Sequence, residues 1–315
     1  MTWVRLFTAT ALLTSVGLYT ESLGQTPPVA AFKSSVDLVR VAAVVRDHKG
    51  RFVPDLVAGD LEVLDAGERQ SITDFRQDLA GVSVALLFDV SGSMEGHLPN
   101  AREAATHLLS WLDVDRDEAA VFAFDTQLDE LASFAPGLRA LPDSLLRLSA
   151  FGQTSLHDAI AETARRTGQR VGPRRAVVVL TDGMDTASRL TPAEVSAIAA
   201  EIDVPVYVVG VVPAIDNPVE DVATGSLGRV AFEGPLADLA AWTGGHVFVV
   251  STPAQRSAAA HQIVDELRHQ YLIAFATSGS PGWHPLVIRT RDKSLVVRAR
   301  SGYIARALGP TAPGK

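Results

Sequence analysis

The residues with the clearest chemical meaning are Asp89-Val90-Ser91-Gly92-Ser93, which follow the apolar run 82–88. An acidic side chain and two hydroxyls at alternate positions, on a turn leaving a buried strand, can bring their oxygens to one point. Hard divalent cations such as Mg²⁺ prefer oxygen ligands of this kind, completed by water or by a group of another molecule. The pattern therefore indicates a candidate cation site at Asp89, Ser91 and Ser93.

Two further short motifs are spaced so that one domain could fold them onto that site. Thr154 lies in a Gly-Gln-Thr-Ser motif, and Asp182 lies in a Thr-Asp-Gly motif that closes the apolar run 176–180. In open α/β sheets, ligands bind outside the carboxyl ends of the strands, where the strand order reverses. We therefore expect Asp89 and Asp182 to face the same crevice.

The same residues also have a purely structural interpretation. Ser, Thr and Asp are common as helix N-caps and turn formers, and any one of these five could serve only in that way. His157 and Asp185, which lie near the motifs, are expected to be surface residues, and Asp125 either supports the site or forms a turn. The combination of motifs in one chain favours the cation site over capping alone.

The central part of the chain alternates apolar runs with helical periodicity, which is typical of a mostly parallel sheet covered on both faces. The sequence predicts strands at 82–88, 119–124, 176–180, 204–212 and 246–250. It predicts helices at 98–112, after Thr154, from Pro192 to about Glu201, at 235–242 and at 254–269. We therefore expect a doubly wound, Rossmann-like α/β fold.

Strand-like segments bracket this α/β part. A hairpin is predicted between 61–64 and 71–75, and further strands at 271–276, 286–290 and 295–300. Neither flank holds enough sheet to be stable alone, so we expect one smaller β-sandwich-like domain, built from N- and C-terminal strands, with the α/β domain inserted in it. The alternative is two independent hairpins packed on the α/β core.

The N-terminus has the features of a secretory signal. Arg5 precedes the 13-residue, mostly apolar run 6–18, and small residues at 22–24 offer a cleavage site. An uncleaved membrane anchor is the alternative, although a span needs about 20 apolar residues. The expected order is a signal peptide (1–24), a linker (25–35), the first half of the β-domain (36–80) and the α/β domain (81–252). A connecting helix (253–269), the second half of the β-domain (270–305) and a disordered tail (306–315) follow.

Composition limits the possible partners. The net charge of −8 argues against sequence-independent binding to nucleic acid or to anionic lipid, because both need clustered Lys and Arg. The absence of cysteine excludes disulfides, thiolate metal sites and a Cys nucleophile. We expect an extracytoplasmic protein, periplasmic or secreted, without a membrane span after signal removal. Its oligomeric state is not set by the sequence.

These motifs together resemble the metal-ion-dependent adhesion site (MIDAS) of von Willebrand factor type A (VWFA) domains, and the resemblance extends from about 82 to 250. It implies that Ser91 and Ser93 bind the metal directly, and that Thr154 and Asp182 do so directly or through water. Asp89 would act partly through hydrogen bonds to waters or to the serines. An open coordination position would then accept an acidic side chain of a partner.

The resemblance implies a binding module and not an enzyme, with Mg²⁺ (or Mn²⁺ or Ca²⁺) as the ion and a protein ligand that presents a carboxylate as the partner. Looser motifs at 39–41, 61–67, 271–273 and 302–303 resemble exported bacterial VWFA proteins of the acidobacterial type. One alternative is a scaffold with a vestigial site. A metal-dependent phosphohydrolase is disfavoured, because such enzymes need a second Asp two positions after the first. In this chain that position, two residues after Asp89, is occupied by Ser91.

Overall fold

The computed structural model describes residues 38–77, 81–172, 174–201, 203–213, 232–277 and 281–305. The expected signal peptide, linker and C-terminal tail lie outside these ranges. Within them, no helix is long and apolar enough to cross a membrane.

Fourteen strands and six α-helices are present in the described residues. The strands are β1 Leu38–Arg46, β2 Leu61–Asp65, β3 Glu68–Gln70, β4 Ile72–Gln77, β5 Ser83–Asp89, β6 Glu118–Phe124, β7 Leu128–Pro136, β8 Arg175–Thr181, β9 Val206–Val211, β10 Val247–Val250, β11 Tyr271–Ala276, β12 Gly282–Thr290, β13 Val296–Ala299 and β14 Gly302–Ala305. The helices are α1 Leu98–Trp111, α2 Asp143–Arg147, α3 Leu156–Gly168, α4 Pro192–Glu201, α5 Pro235–Thr243 and α6 Pro253–Arg268.

Six strands form the central sheet, in the order β10-β9-β8-β5-β6-β7. All neighbouring pairs are parallel except β6 and β7, so β7 is an antiparallel edge strand. The strand order reverses between β5 and β8, because β6 and β7 lie on one side of β5 and β8 to β10 on the other. The predicted doubly wound α/β fold is confirmed.

Burial on both faces of the sheet explains why its parallel strands have continuous apolar sequences. All seven residues of β5 are buried. Val84, Leu86 and Phe88 pack into the layer that contains α1 and α6, whereas Ala85 and Leu87 pack into the layer that contains α3, α4 and α5. Successive side chains of a strand point to opposite faces, so one strand contributes to two cores.

The N- and C-terminal strands interleave in two antiparallel four-stranded sheets, β13-β1-β11-β4 and β14-β12-β2-β3. The N-terminal strand β1 pairs with the C-terminal strand β11, and β2 pairs with β12. Val41, Val63, Ile273, Phe275 and Ile288 belong to one core between them. The expected β-sandwich from both ends of the chain is confirmed, and two independent hairpins are excluded.

The structure differs from the sequence prediction at four strands: β3, β7 and β14 lie outside the predicted strands, and β4 has a different partner. After the turn at Ala66 and Gly67, β2 pairs with β3, whereas β4 crosses to the other sheet and pairs with β11. Both turn residues have positive φ, 49° and 90°, which matches a tight two-residue hairpin. The sequence does not predict β7, because this edge strand has many exposed polar residues and no continuous apolar run.

Candidate metal centre

The carboxyl ends of β5 and β8 lie side by side where the strand order reverses. Asp89 is the last residue of β5, and Asp182 directly follows β8. Ser91 and Ser93 lie in the loop between β5 and α1, in which Gly92–Met94 form one short 3-10 turn. Asp89 and Asp182 therefore lie at the same edge of the sheet.

Asp89 is completely buried and hydrogen-bonded. Its Oδ1 accepts from the backbone N–H of Ser91 (3.0 Å), and its Oδ2 accepts from the hydroxyl of Thr181 (2.7 Å). Burial raises the pKa of this carboxyl to about 6, against the opposing effect of its bonds from Ser91 and Thr181, and the nearby charge of Asp182 raises the pKa further. A buried carboxylate beside a second one favours a compensating positive charge.

The hydroxyls of Ser91 and Ser93 face each other with 3.1 Å between their oxygens. Ser91 is completely buried, whereas Ser93 is exposed. A backbone hydrogen bond from Met94 N to Ser91 O (3.0 Å) closes the turn that carries them. The pair therefore lies at the boundary between the interior and the solvent, where a second molecule could reach it.

Two backbone hydrogen bonds join the loop of Thr154 to the loop of the serines. The N–H of Phe151 donates to the carbonyl O of Val90 (2.9 Å), and the N–H of Gly92 donates to the carbonyl O of Gly152 (3.0 Å). A Cβ at Gly92 would lie only 3.2 Å from that carbonyl O. This close approach favours glycine, and the two bonds join the loop that carries the buried Thr154 to the loop of the serines.

The loop after β8 holds Thr154 from its other side. Thr154 N donates to the hydroxyl of Thr186 (3.0 Å), and the N–H groups of Thr186 and Ala187 both donate to Thr154 O (2.9 Å each). Asp182 Oδ1 accepts from Met184 N (3.1 Å), which fixes the carboxylate within its own loop. Hydrogen bonds thus join the three loops that carry the five predicted ligands.

Further hydrogen bonds fix the loop after β8 against the start of α3. The hydroxyl of Ser188 accepts from His157 N (2.9 Å) and Asp158 N (3.3 Å), which satisfies two N–H groups of the first helical turn. The carboxylate of Asp158 in turn accepts from the backbone N–H groups of Arg189 (3.1 Å) and Leu190 (2.9 Å). The position of the loop is therefore set by α3 as well as by β8.

His157 and Asp185 differ from the expectation of independent surface residues. Nδ1 of His157 contacts Oδ2 of Asp185 directly, and their side chains are only 14% and 16% exposed. The pair joins α3 to the β8 loop.

Asp125 has both of the roles that the sequence left open. Its Oδ1 accepts from Gln127 N (2.9 Å) and so stabilises a turn. Its carbonyl O accepts from Ser155 N (2.8 Å) and so supports the neighbouring loop.

The donor set fits a hard divalent cation. It has two carboxylates and three hydroxyls, all oxygen, as Mg²⁺, Mn²⁺ and Ca²⁺ require. The described residues contain no group of three or more His, Cys, Asp or Glu that could hold a metal. The site therefore depends on Ser91, Ser93 and Thr154, and its two acidic members are Asp89 and Asp182.

The sequence interpretation gave Thr181 no role of its own, although it belongs to the Thr-Asp-Gly motif. Its hydroxyl binds Asp89 Oδ2, and the same oxygen accepts from Gly183 N (3.0 Å). The signal available in the sequence was a hydroxyl residue at the end of an otherwise apolar strand next to the central one.

The sequence model of the von Willebrand factor type A domain matches residues 83–265. Comparison with curated proteins gives no match. Among solved structures, the chain is similar to an aerotolerance-related membrane protein from Bacteroides fragilis, with 20% identity over 59% of this chain and 98% of that one and a TM-score of 0.48. It is similar to a von Willebrand factor type A protein from Catenulispora acidiphila, with 15% identity over 88% and 75% and a TM-score of 0.47. A proximal thread matrix protein of the mussel byssus, with a zinc-occupied MIDAS motif, matches with 19% identity over 65% and 50% and a TM-score of 0.46.

Proposed function

Because this chain belongs to the von Willebrand factor type A family, whose model covers more than half of it, we propose that it is an exported, metal-dependent protein-binding module. Domains of this family are generally interaction modules and not enzymes. The proposed ion is a divalent cation, with Mg²⁺ as the leading candidate. It is held by Ser91, Ser93, Thr154 and Asp182, and Asp89 acts partly through hydrogen bonds to waters or to the serines. The partner is a protein that presents a carboxylate.

One observation carries this proposal. The loops of Ser91, Thr154 and Asp182 meet at the carboxyl ends of β5 and β8, and direct hydrogen bonds join the Thr154 loop to both of the others. Loops that served only as helix caps would not need these mutual bonds. Preorganised oxygens bind a cation without the cost of bringing the loops together.

Each side chain has a separate part in this function. A bound divalent cation supplies the positive centre that a partner's carboxylate can coordinate. Asp89 and Asp182 supply negative charge, and the Thr181 hydroxyl orients Asp89. Ser93 is exposed and so marks the side from which the partner approaches.

Cation uptake is the first test. Isothermal titration with MgCl₂ and MnCl₂ is expected to show one binding event for the wild-type protein and none for Ser91→Ala or Asp182→Ala. Ser110→Ala is the matched control, because the Ser110 hydroxyl is exposed and bonds only within α1, to His107 O. A wild-type protein that takes up neither ion would refute the proposal.

Partner binding needs a second experiment. The tagged protein is incubated with the envelope fraction of its native cell, with magnesium or with EDTA, alongside Asp182→Ala and Ser110→Ala. Proteins retained by the wild type and by Ser110→Ala, and lost both with EDTA and with Asp182→Ala, are the partners. Retention that is indifferent to EDTA favours a scaffold with a vestigial site instead.

Export is tested on the protein itself. Cell fractionation followed by N-terminal sequencing is expected to find the mature chain outside the cytoplasm and starting at Gln25. A chain recovered from the membrane with residues 1–24 intact would show that this segment is an anchor and not a cleaved signal.

A further inference from the structure

We propose that a cleft between the β-sandwich and the α/β domain binds a small molecule that carries a carboxylate or phosphate group. The cleft has a volume of about 390 Å³ and is called the arginine cleft below. Its charged lining residues are Arg40, Asp74, Arg76, Arg170, Arg175 and Asp203. None of them is a predicted ligand of the cation, so this inference does not rest on the proposed function.

The β-sandwich supplies one wall of the arginine cleft. Arg40 of β1 and Asp74 of β4 both pair with Ala274 of β11, from opposite sides, so the three residues lie in one row on one face of the sheet. Their neighbours along the strands, Val41 and Ile273, point to the other face and belong to the core of the β-sandwich. The charged residues are therefore on the face that is turned away from that core.

The α/β domain supplies the other wall, at the amino end of β8. Arg175 is the first residue of β8, and Arg170 lies in the loop that joins α3 to this strand. Nη1 of Arg175 donates to Gly168 O at the end of α3 (2.6 Å), which ties the strand to the helix. A Cβ at Gly172, which also lines the cleft, would meet nothing within 4 Å. The space beside this loop is therefore open.

The arginine cleft is remote from the candidate metal centre. It lies at the amino end of β8, whereas Asp182 follows the carboxyl end of that strand. A strand of seven residues spans about 20 Å, because each residue advances roughly 3.3 Å. The two sites can therefore be tested independently.

Two of the arginines have donors that the described residues leave unused. The side chain of Arg40 is exposed, and its guanidinium has no hydrogen-bond or ion-pair partner in the part of the chain that the structure describes. Nε and Nη2 of Arg170 donate to the two carboxylate oxygens of Glu118 (2.9 and 2.7 Å), which fixes this guanidinium and leaves its Nη1 available. A guanidinium is a planar fork of donors that matches the oxygens of a carboxylate or phosphate.

Pairing across the domain boundary distinguishes these arginines from those that hold the two domains together. Arg46 and Arg298 of the β-sandwich both pair with Glu266 of α6. Among the described residues, Arg76 pairs only with Asp74 of its own strand, at 3.7 Å, and both side chains are more than half exposed. An exposed pair of this kind contributes little to stability. Arg76 is therefore available to a ligand.

Charge and size together indicate the class of ligand. Four arginines and two aspartates give the cleft a net charge of +2, whereas the whole chain carries −8. A concave surface of positive charge concentrates anions. Its volume of about 390 Å³ and its place between two domains are typical of small-molecule sites, which measure roughly 300–1,000 Å³. A long polyanion would need clustered Lys and Arg beyond the cleft.

Isothermal titration with sodium phosphate, glucose 6-phosphate and sodium citrate tests the site. Each titration is run in EDTA, with sodium chloride to keep the ionic strength constant. We expect one saturable binding event for at least one probe. Binding of the phosphate probes alone identifies a phosphorylated ligand, binding of citrate alone identifies a carboxylate ligand, and binding of both supports a site for either group.

Arg40→Gln is expected to weaken this binding about tenfold, because a charge-assisted hydrogen bond is lost. Arg40→Lys keeps the charge without the planar fork and should weaken binding less. Arg76→Gln is a second variant with the same expected direction as Arg40→Gln. Arg147→Gln is the matched control, because Arg147 is 75% exposed and belongs to α2, outside the cleft. Thermal unfolding of each ligand-free variant should match that of the wild type.

The arginine cleft is refuted if no probe binds to the wild-type protein. It is also refuted if Arg40→Gln and Arg76→Gln both bind as tightly as the wild type, or if Arg147→Gln weakens binding as much as they do. Manganese uptake, titrated without EDTA, should be equal in Arg40→Gln and the wild type, and a lower uptake would contradict the separation of the two sites. Failure of the cleft leaves the cation site standing, and failure of manganese uptake leaves the cleft standing.

Discussion

The hydroxyl of Thr181 donates a 2.7 Å hydrogen bond to Oδ2 of Asp89, and this bond joins the last residues of β8 and β5 inside the buried end of the central sheet. The same hydroxyl oxygen accepts from Gly183 N. One side chain therefore fixes the carboxylate of the first motif and the backbone of the third.

Thr181→Val keeps the shape of this side chain and removes both bonds. We expect the free energy of unfolding to fall by about 1–3 kcal/mol, because a buried carboxylate oxygen and a backbone N–H lose a partner. We also expect weaker cation uptake, because Asp89 loses a bond that favours its charged form. Urea unfolding and isothermal titration measure the two effects. Thr181→Ser should behave like the wild type, and a valine variant that does so too would contradict the assigned role.

The stability of the metal-free protein is expected to depend on the ionisation of Asp89. Its folded pKa of about 6 lies above its usual value of 3.8, so the folded state holds this proton more tightly than the unfolded state. The stabilising contribution is therefore present at low pH and is lost as the pH rises from 3.8 through about 6. The loss is on the order of 3 kcal/mol by the linkage between pKa and stability.

Urea unfolding in EDTA across this pH window, for the wild type and for Asp89→Asn, isolates the contribution. The free energy of unfolding of the wild type, relative to that of Asp89→Asn, should fall as the pH rises from 3.8 through about 6. Magnesium should restore the stability of the wild type at the upper end of the window, where Asp89 is charged. A pH-independent difference would show that Asp89 does not titrate in this range.

Gly92→Ala tests the close approach of the first two loops. The added Cβ would lie 3.2 Å from Gly152 O, so the loops must separate by a few tenths of an ångström. We expect several-fold weaker cation uptake with a loss of stability of only about 1 kcal/mol, a common value for a point mutation. Gly59→Ala is the control, because nothing lies within 4 Å of a Cβ built there. Unchanged uptake in Gly92→Ala would mean that the spacing of the loops is not critical.

Glu266 of α6 links the central sheet layer to the β-sandwich. Its side chain is completely buried, Oε1 accepts from Arg46 of β1 (2.8 Å), and Oε2 contacts the guanidinium of Arg298 of β13. Glu266→Leu is expected to lower the free energy of unfolding by about 3–5 kcal/mol, because two partly buried arginines lose their counter-charge.

Chemical denaturation measures this loss. Asp143→Asn, which weakens an exposed pair with Arg147 at 3.9 Å, should change stability by less than about 1 kcal/mol. A Glu266→Leu variant as stable as Asp143→Asn would show that the buried group does not hold α6 to the β-sandwich.

Local patterns predicted much of the fold. The apolar run 82–88 corresponds to β5 at Ser83–Asp89, and the run 176–180 corresponds to β8 at Arg175–Thr181. These strands can be predicted from the sequence because a strand buried on both faces must be apolar throughout. β7 cannot be predicted in this way, because an edge strand with one exposed side has no continuous apolar run.

Some features of the candidate site could likewise be predicted from the sequence, and others could not. Asp89 and Asp182 could be placed at one edge of the sheet, because the carboxyl ends of parallel neighbours share an edge. The pairing of His157 with Asp185 could not, because it depends on how the β8 loop folds back over α3. That the five residues bind a cation remains a prediction, for which uptake is the measurement.

By itself, the sequence identified the candidate oxygen donors and predicted the alternation of strands and helices, because motif chemistry and periodicity depend on neighbouring residues. Only the tertiary structure decided that Thr181 holds Asp89, that Gly92 meets Gly152, and that strands from both ends of the chain share two sheets. Each of these contacts joins residues that are distant in the chain. Their partners are fixed by strand register and by the packing of loops in three dimensions, which no local pattern specifies.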